Sequence, residues 1–347
     1  MQRIQKKTKG ENWVKKVKAF LGLCMLSIII GGRVQAKELN LPETEIVDVT
    51  NHVYTYMEME CDLVQLKEQY KDKMACIPIG ASLDSRTVWE VVIGNPQAPK
   101  AIFIEAAVHG REWMNSWMLM KQIEELMKNW ETPIVEGVEL GDIFEQCAVY
   151  IVPMVNPDGV TISQCGIDAI QNELLRANLY HMKGASKPAR WKANAAGVDI
   201  NRNFMTGWGN KRCVKAPASE FYEGIFSFSE PETMAIANAF AQRKFDIAIS
   251  YHSMEGAIYW NIGQSGELLD KTAALAVEVK QVTGYSYGEQ SPLNGLDYNW
   301  MMIGQNTPTV LIETGTVACP LPYSQWQEIW IRNKDLIKQL AIIYATK

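Results

Sequence analysis

Within residues 101–113, AIFIEAAVHGREW, three side chains able to do chemistry fall inside four positions: His109, Arg111 and Glu112. A His and a Glu separated by two residues can hold one Zn²⁺ from a turn, through an imidazole nitrogen and a carboxylate oxygen. An isolated H-x-x-E recurs by chance, so the remaining chain must supply a third ligand, a base and a substrate clamp. His252, at the end of the apolar run FDIAISY, is the candidate third ligand. Two imidazoles and one carboxylate leave a fourth position for water, as in catalytic rather than structural zinc sites. Such a metal acidifies water and polarises a carbonyl, and the reaction then needs a proton acceptor. Glu313 fits that role: it is a carboxylate ending the apolar run PTVLI, where an idle charge would be costly. The segment GVDINRNF sets Asn201 beside Arg202. An amide next to a guanidinium suits recognition of a planar carboxylate. Taken alone, that segment reads equally as a surface turn with a salt bridge.

These residues need elements to bring them together. Four apolar runs, 101–108, 148–155, 245–251 and 308–312, have the length and composition of buried strands. Each ends at a polar landmark: His109, Asn156, His252 or Glu313. In open α/β sheets ligand sites form outside the carboxyl ends of strands. Side chains far apart in sequence are therefore expected to meet at one edge of one sheet. The chain has four histidines, and the other two, His52 and His181, stand in polar context and read as surface residues.

Around these strands, 54–70 has helical apolar spacing, and 76–82 with 86–93 read as two strands joined by a polar turn. Residues 115–130 form a core-facing helix. Asn156-Pro157-Asp158-Gly159 is a turn by composition. Ser229 and Glu232 form a capping-box signature for a helix to about 243, and 265–282 and 325–344 read as helices. The result is one α/β domain of 311 residues, 37–347, without internal repeat or linker.

Residues 1–36 carry eight Lys/Arg, an apolar stretch over 19–30 and Val34-Gln35-Ala36, which together read as a secretory signal peptide. The apolar run is short of the ~20 residues that span a bilayer, so no membrane insertion is expected after cleavage. Removing this +7 segment takes the formal charge from −5 to −12. An acidic chain with no basic stripe is a poor partner for nucleic acid or anionic lipid. Six cysteines remain, in scattered positions without C-x-x-C, so a cysteine zinc cluster is not expected. Disulfides and buried free thiols both stay open.

HGREW, NPDG, GVDINRNF, the strand-end SYH and LIETG, in that order, resemble the M14 family of zinc carboxypeptidases. The resemblance covers roughly 53–337. It implies an eight-stranded mixed sheet flanked by helices, with one zinc at its carboxyl edge. It also implies His109, Glu112 and His252 as ligands, Glu313 as general base, Arg111 lining the cleft, and Asn201 with Arg202 holding a terminal carboxylate. The family's oxyanion-stabilising arginine, usually in a Trp-Arg-Lys context, falls by this comparison on Arg176, with Arg190 as the second choice. Counting back from Glu313 puts Tyr298 at the floor of the specificity pocket, with Asp297 beside it and able to meet an amino group if it turned inward.

The expected activity is therefore that of a secreted zinc metallocarboxypeptidase acting on peptides. A bacterial branch of the same fold cuts the γ-D-glutamyl–diamino acid bond of cell-wall peptides. Trp191-Lys192-Ala193-Asn194 and the Pro320-Leu321-Pro322 segment look like that branch, which would make the protein extracellular or wall-associated. An inactive peptide- or wall-binding module would lack a ligand or the base, and all four positions are filled.

Overall fold

The computed structural model describes residues 45–50, 53–206, 208–209, 213–289 and 297–347. The expected signal peptide and His52 lie outside the described residues. In chain order the strands are β1 (Met74–Ala81), β2 (Thr87–Ile93), β3 (Lys100–Ala106), β4 (Pro133–Val135), β5 (Val138–Glu139), β6 (Cys147–Val152), β7 (Ile247–His252), β8 (Ala257–Tyr259), β9 (Ser286–Tyr287) and β10 (Thr309–Glu313). Eight of them form one mixed sheet in the order β1-β2-β6-β3-β7-β10-β8-β9, and β4 pairs with β5 as a separate hairpin.

The α-helices of five residues or more are α1 (Tyr56–Gln69), α2 (Met114–Lys128), α3 (Leu140–Phe144), α4 (Pro157–Cys165), α5 (Glu173–Leu179), α6 (Pro231–Gln242), α7 (Gly266–Thr283), α8 (Trp326–Asn333) and α9 (Leu336–Ala345). Among the described residues no helix is long and apolar enough to cross a membrane.

The four central strands β6, β3, β7 and β10 run parallel. They are the four apolar runs of the sequence, and they read as unbroken apolar segments because both of their faces are covered. Ile102, Ile104, Val149, Ile151, Ile249 and Ile312 pack toward α1, α2, α8 and α9. Phe103, Tyr150 and Ala248 point the other way, into a cluster with Ile236 and Phe240 of α6. Parallel alignment puts four carboxyl ends side by side, so the landmarks beyond them share one edge.

Three local expectations change. Asn156-Pro157-Asp158-Gly159 is not a turn but the start of α4. The Asn156 side chain accepts the Gly159 N–H at 2.9 Å, and Pro157 takes the first helical position. The same residue types serve helix N-termini and turns, because both need a side-chain acceptor and a residue without an N–H. No Ser229–Glu232 capping box forms at α6. Pro231 sets the start one residue later, Ser229 Oγ donates to Glu230 Oε1 at 2.6 Å, and Glu232 is buried. Finally, 325–344 is two helices with a break at Lys334-Asp335. Core positions Trp330, Asn333, Leu336, Ile337 and Leu340 keep helical spacing across the break, so periodicity alone does not register it.

Candidate metal centre and its surroundings

After β3, His109 caps a single 3-10 turn, Gly110–Glu112, which ends at Glu112 and leads into α2. The last residue of β7 is His252, and the last of β10 is Glu313. His109 Nδ1 lies 2.9 Å from Glu112 Oε1, and His252 Nδ1 lies 3.0 Å from Glu112 Oε2. The two Nδ1 atoms are 3.3 Å apart. All three side chains are buried, and their donor atoms converge within 4.8 Å of one another.

This donor set fits Zn²⁺. Two imidazole nitrogens each about 2.0–2.1 Å from a tetrahedral ion stand about 3.3 Å apart, which is the separation found. Two nitrogens and a carboxylate also match the preferred zinc ligand types.

The far ring nitrogens are held by buried carboxylates. His109 Nε2 meets Asp199 Oδ1 at 3.2 Å, and His252 Nε2 meets Asp297 Oδ2 at 3.2 Å. Such partners fix the tautomer and turn the opposite nitrogen toward the ion. Burial alone would raise the Asp199 carboxyl, but the charges of His109, Arg202 and Lys192 outweigh it and hold the group ionised. The same contest holds Glu112 well below the usual carboxylate range: burial opposes, and His109 and His252 prevail.

Glu313 pairs in register with His252, and its Oε2 is buried without a partner. Burial, then the Glu112 charge, pushes its carboxyl up to about 7, with the two histidines and Lys192 opposing. A carboxyl poised there can take and return a proton near neutral pH.

Asn201 and Arg202 sit on the 3-10 turn Ile200–Arg202, next to Asp199. Asn201 Oδ1 accepts the Asp297 N–H at 2.9 Å, which orients its amide. The Arg202 guanidinium lies 5.2 Å from the centre of the Phe221 ring, with Nε 3.9 Å from Asp199 Oδ2. Arg111, on the same turn as Glu112, has a buried Nε without a partner. Tyr298 is buried against Met302 and Leu311 of β10. Burial, then Asp297 and Tyr259, raises its phenol pKa, and Glu313 adds to the effect.

Neither proposed oxyanion arginine joins this cluster by a hydrogen bond or ion pair among the described residues. Arg176 Nη1, on α5, donates to the Ile170 carbonyl at 2.8 Å, and Arg190 is exposed. Lys192 is a cation that the fold does tie to the His109 turn. Its carbonyl accepts the Gly110 N–H at 3.0 Å and the Asn156 Nδ2 at 3.1 Å, which docks it against the His109 turn. Its Nζ lies 5.7 Å from the Phe221 ring centre, the ring that also carries Arg202. Its charge lowers both Asp199 and Glu313. The sequence signal is the basic residue directly after Trp191. Asp297 also departs from expectation: it is fully buried and faces His252 rather than an incoming amino group. Asp199 was visible inside GVDINRNF, but only the tertiary contact with His109 gives it a role.

All six cysteines of the described residues are free thiols.

The comparisons with known proteins agree with this geometry. The family model described as zinc carboxypeptidase matches residues 59–303. A curated γ-D-glutamyl-L-diamino acid endopeptidase 1 from Lysinibacillus sphaericus is 29% identical over 283 residues, covering 80% of this chain and 69% of that protein. Carboxypeptidase A5 of Macaca fascicularis is 27% identical over 269 residues, covering 76% of this chain and 55% of that protein. Among solved structures, bovine thrombin-activatable fibrinolysis inhibitor, in complex with tick carboxypeptidase inhibitor, superposes with a TM-score of 0.67 at 18% identity, over 84% of this chain and 97% of that one. The mixed eight-stranded fold, the His–Glu–His group and the family match together make the chain a zinc-dependent metallopeptidase that belongs to the M14 family of zinc carboxypeptidases.

Proposed function

We propose that this protein is an exported zinc metallocarboxypeptidase that hydrolyses the amide bond next to a free C-terminal carboxylate. The observation that carries the reading is the convergence of His109, Glu112 and His252, with Glu313 beside them and Asn201-Arg202 linked to the same centre through Asp199 and Asp297. His109, Glu112 and His252 hold one Zn²⁺. Bound there, the ion supplies Lewis acidity toward a carbonyl oxygen and acidifies water. Glu313 takes a proton from the attacking water and delivers it to the leaving amine. The Asn201 amide and the Arg202 guanidinium grip the terminal carboxylate, a pairing that gains strength from charge and planarity. Arg111 and Tyr298 line the cleft. Lys192, rather than Arg176, meets the oxygen on which charge builds up. Residues 1–36 act as the secretory signal and 37–347 as the catalytic domain.

A second reading has its own support. Lys192 and Arg202 place two cations on one phenyl ring, which suits a substrate bearing two carboxylates near the scissile bond. A γ-linked glutamate followed by a diamino acid is such a substrate, and a relative named for that bond is 29% identical. On this reading the enzyme trims cell-wall peptides.

Incubation of zinc-loaded protein with an ordinary peptide and with a γ-D-glutamyl–diaminopimelate peptide, followed by mass spectrometry, separates the two. Stepwise loss of C-terminal residues from the ordinary peptide supports the first reading. Cleavage only after γ-D-glutamate supports the second. Chelation, or Glu313→Gln, should abolish either activity, the latter by about 10²–10⁴-fold as for other general bases. Turnover by Glu313→Gln at the wild-type rate would sink both.

A further inference from the structure

Lys192 and Arg202 come from different segments, yet one ring stands beside both. The centre of the Phe221 ring lies 5.7 Å from Lys192 Nζ and 5.2 Å from the Arg202 guanidinium. The main chain sets this meeting. Lys192 N–H donates to the Ser219 carbonyl at 2.9 Å. Asp199, which opens the turn carrying Arg202, donates its N–H to the Tyr222 carbonyl at 2.8 Å. Phe221 therefore sits between two segments that each bring one cation.

Its own backbone is strained. Phe221 has φ +68°, in the left-handed region that residues with a side chain rarely adopt. Two hydrogen bonds hold it there. Its N–H donates to Asp199 Oδ2 at 3.0 Å, and its carbonyl accepts the Val214 N–H at 2.9 Å. Glycine would take this φ freely, but it would leave the two cations without a ring. Strained residues of this kind cluster where ligands are held.

Little else restrains the two charged heads. Among the described residues Lys192 Nζ makes no hydrogen bond or ion pair, and the Arg202 guanidinium has one loose ion pair, from Nε to Asp199 Oδ2 at 3.9 Å. A carboxylate placed to hold them would cancel the charge that a substrate anion needs. An aromatic face attracts a cation and leaves its charge in place.

We infer that Phe221 is a positioning residue for the substrate: its ring holds the Lys192 ammonium and the Arg202 guanidinium together with both charges uncancelled, and so sets a preference for substrates that end in a free carboxylate. The inference rests on the reading in which Arg202 grips that carboxylate and Lys192 meets the oxygen on which charge builds up.

The test uses the peptide that the enzyme cleaves, as the free acid and as its C-terminal amide. Dissociation constants are measured on zinc-loaded protein carrying Glu313→Gln, so that neither form is cut, and kcat is measured on the acid with Glu313 intact. Phe221→Leu and Phe221→Gly remove the ring, the second without backbone strain; Phe221→Tyr keeps it. Both ringless variants should lose about 3–30-fold in preference for acid over amide, the size of one cation–π contact, and at least about threefold in kcat, with zinc content unchanged. Phe221→Tyr should stay within about twofold in both readouts, since its ring face is equivalent. Ringless variants that keep the preference and kcat would overturn the inference. So would a change in only one of the two, because the ring would then not serve both cations, and so would Phe221→Tyr failing as badly as Phe221→Leu. Loss of zinc from the ringless variants would overturn it as well, by making the residue a support of Asp199 and His109. A protein with Phe221 intact that shows no preference for the acid would instead remove the carboxylate clamp on which the inference stands, an outcome read before any Phe221 variant is made.

Discussion

His252 and Glu313 are register partners in the parallel pairing of β7 with β10. A ladder of main-chain hydrogen bonds, continued by Thr314 N–H to the His252 carbonyl at 2.8 Å, therefore sets the distance between an imidazole that can hold the ion and the carboxylate that faces it. Beyond the strand ends, Thr314, Ser253 and Asn115 close a buried set of hydrogen bonds at 2.6–3.0 Å that ties both strands to α2. Sites built on strands hold their geometry better than sites on loops. The two residues meet because neighbouring parallel strands end level.

The opposite wall of the site is set by a backbone contact. A side-chain carbon at Gly110 would stand 2.2 Å from the Gly159 carbonyl oxygen of α4. Gly110→Ala should therefore push the His109 turn away from α4 and from Lys192. We expect zinc affinity to fall at least about tenfold and stability to drop by about 1–3 kcal/mol, as for other overpacked sites. Chelator competition and thermal melting measure both. Unchanged zinc affinity would mean that the turn can yield without moving the ligands.

Lys192 and Arg176 make competing predictions for the oxyanion. Lys192→Met should lower kcat by about 10²–10³, the loss found when an oxyanion donor is removed from other enzymes, while KM and zinc content change little. Arg176→Ala and Arg190→Ala should stay within about twofold of wild type, because neither side chain reaches the cluster. Steady-state kinetics on a single peptide decide between them. A large loss in Arg176→Ala with none in Lys192→Met would return the role to Arg176.

Glu232, fully buried at the first turn of α6, gives the fold a pH dependence. Burial, then the nearby Asp158 charge, pushes its carboxyl up to about 8, although Asn194 Nδ2 donates to Oε2 at 3.3 Å. A buried acid with a raised pKa binds its proton more tightly folded than unfolded. Its contribution to stability is thus largest below the unfolded value, about 4.3 for Glu. It declines as pH rises and is fully lost above about 8. Glu232→Gln removes this slope. Its melting temperature should exceed that of wild type at pH 8 and converge with it near pH 5. Parallel melting curves at both pH values would refute the idea.

The sequence by itself determined which residues could do chemistry and which strands would carry them. Both are local properties: an apolar run has to be buried, and a polar side chain at its end marks the edge where it leaves the core. Hence His109, His252 and Glu313 were legible as candidates from strand ends, Glu112 from its spacing to His109, and the mixed eight-stranded sheet from family likeness. The tertiary structure alone decided what stands behind and across from them. Asp199 and Asp297 become partners of the two imidazoles only when the chain brings positions 90 and 45 residues away against His109 and His252. Lys192 stands beside the His109 turn because its carbonyl accepts from Gly110, a main-chain contact that leaves no trace in side-chain types.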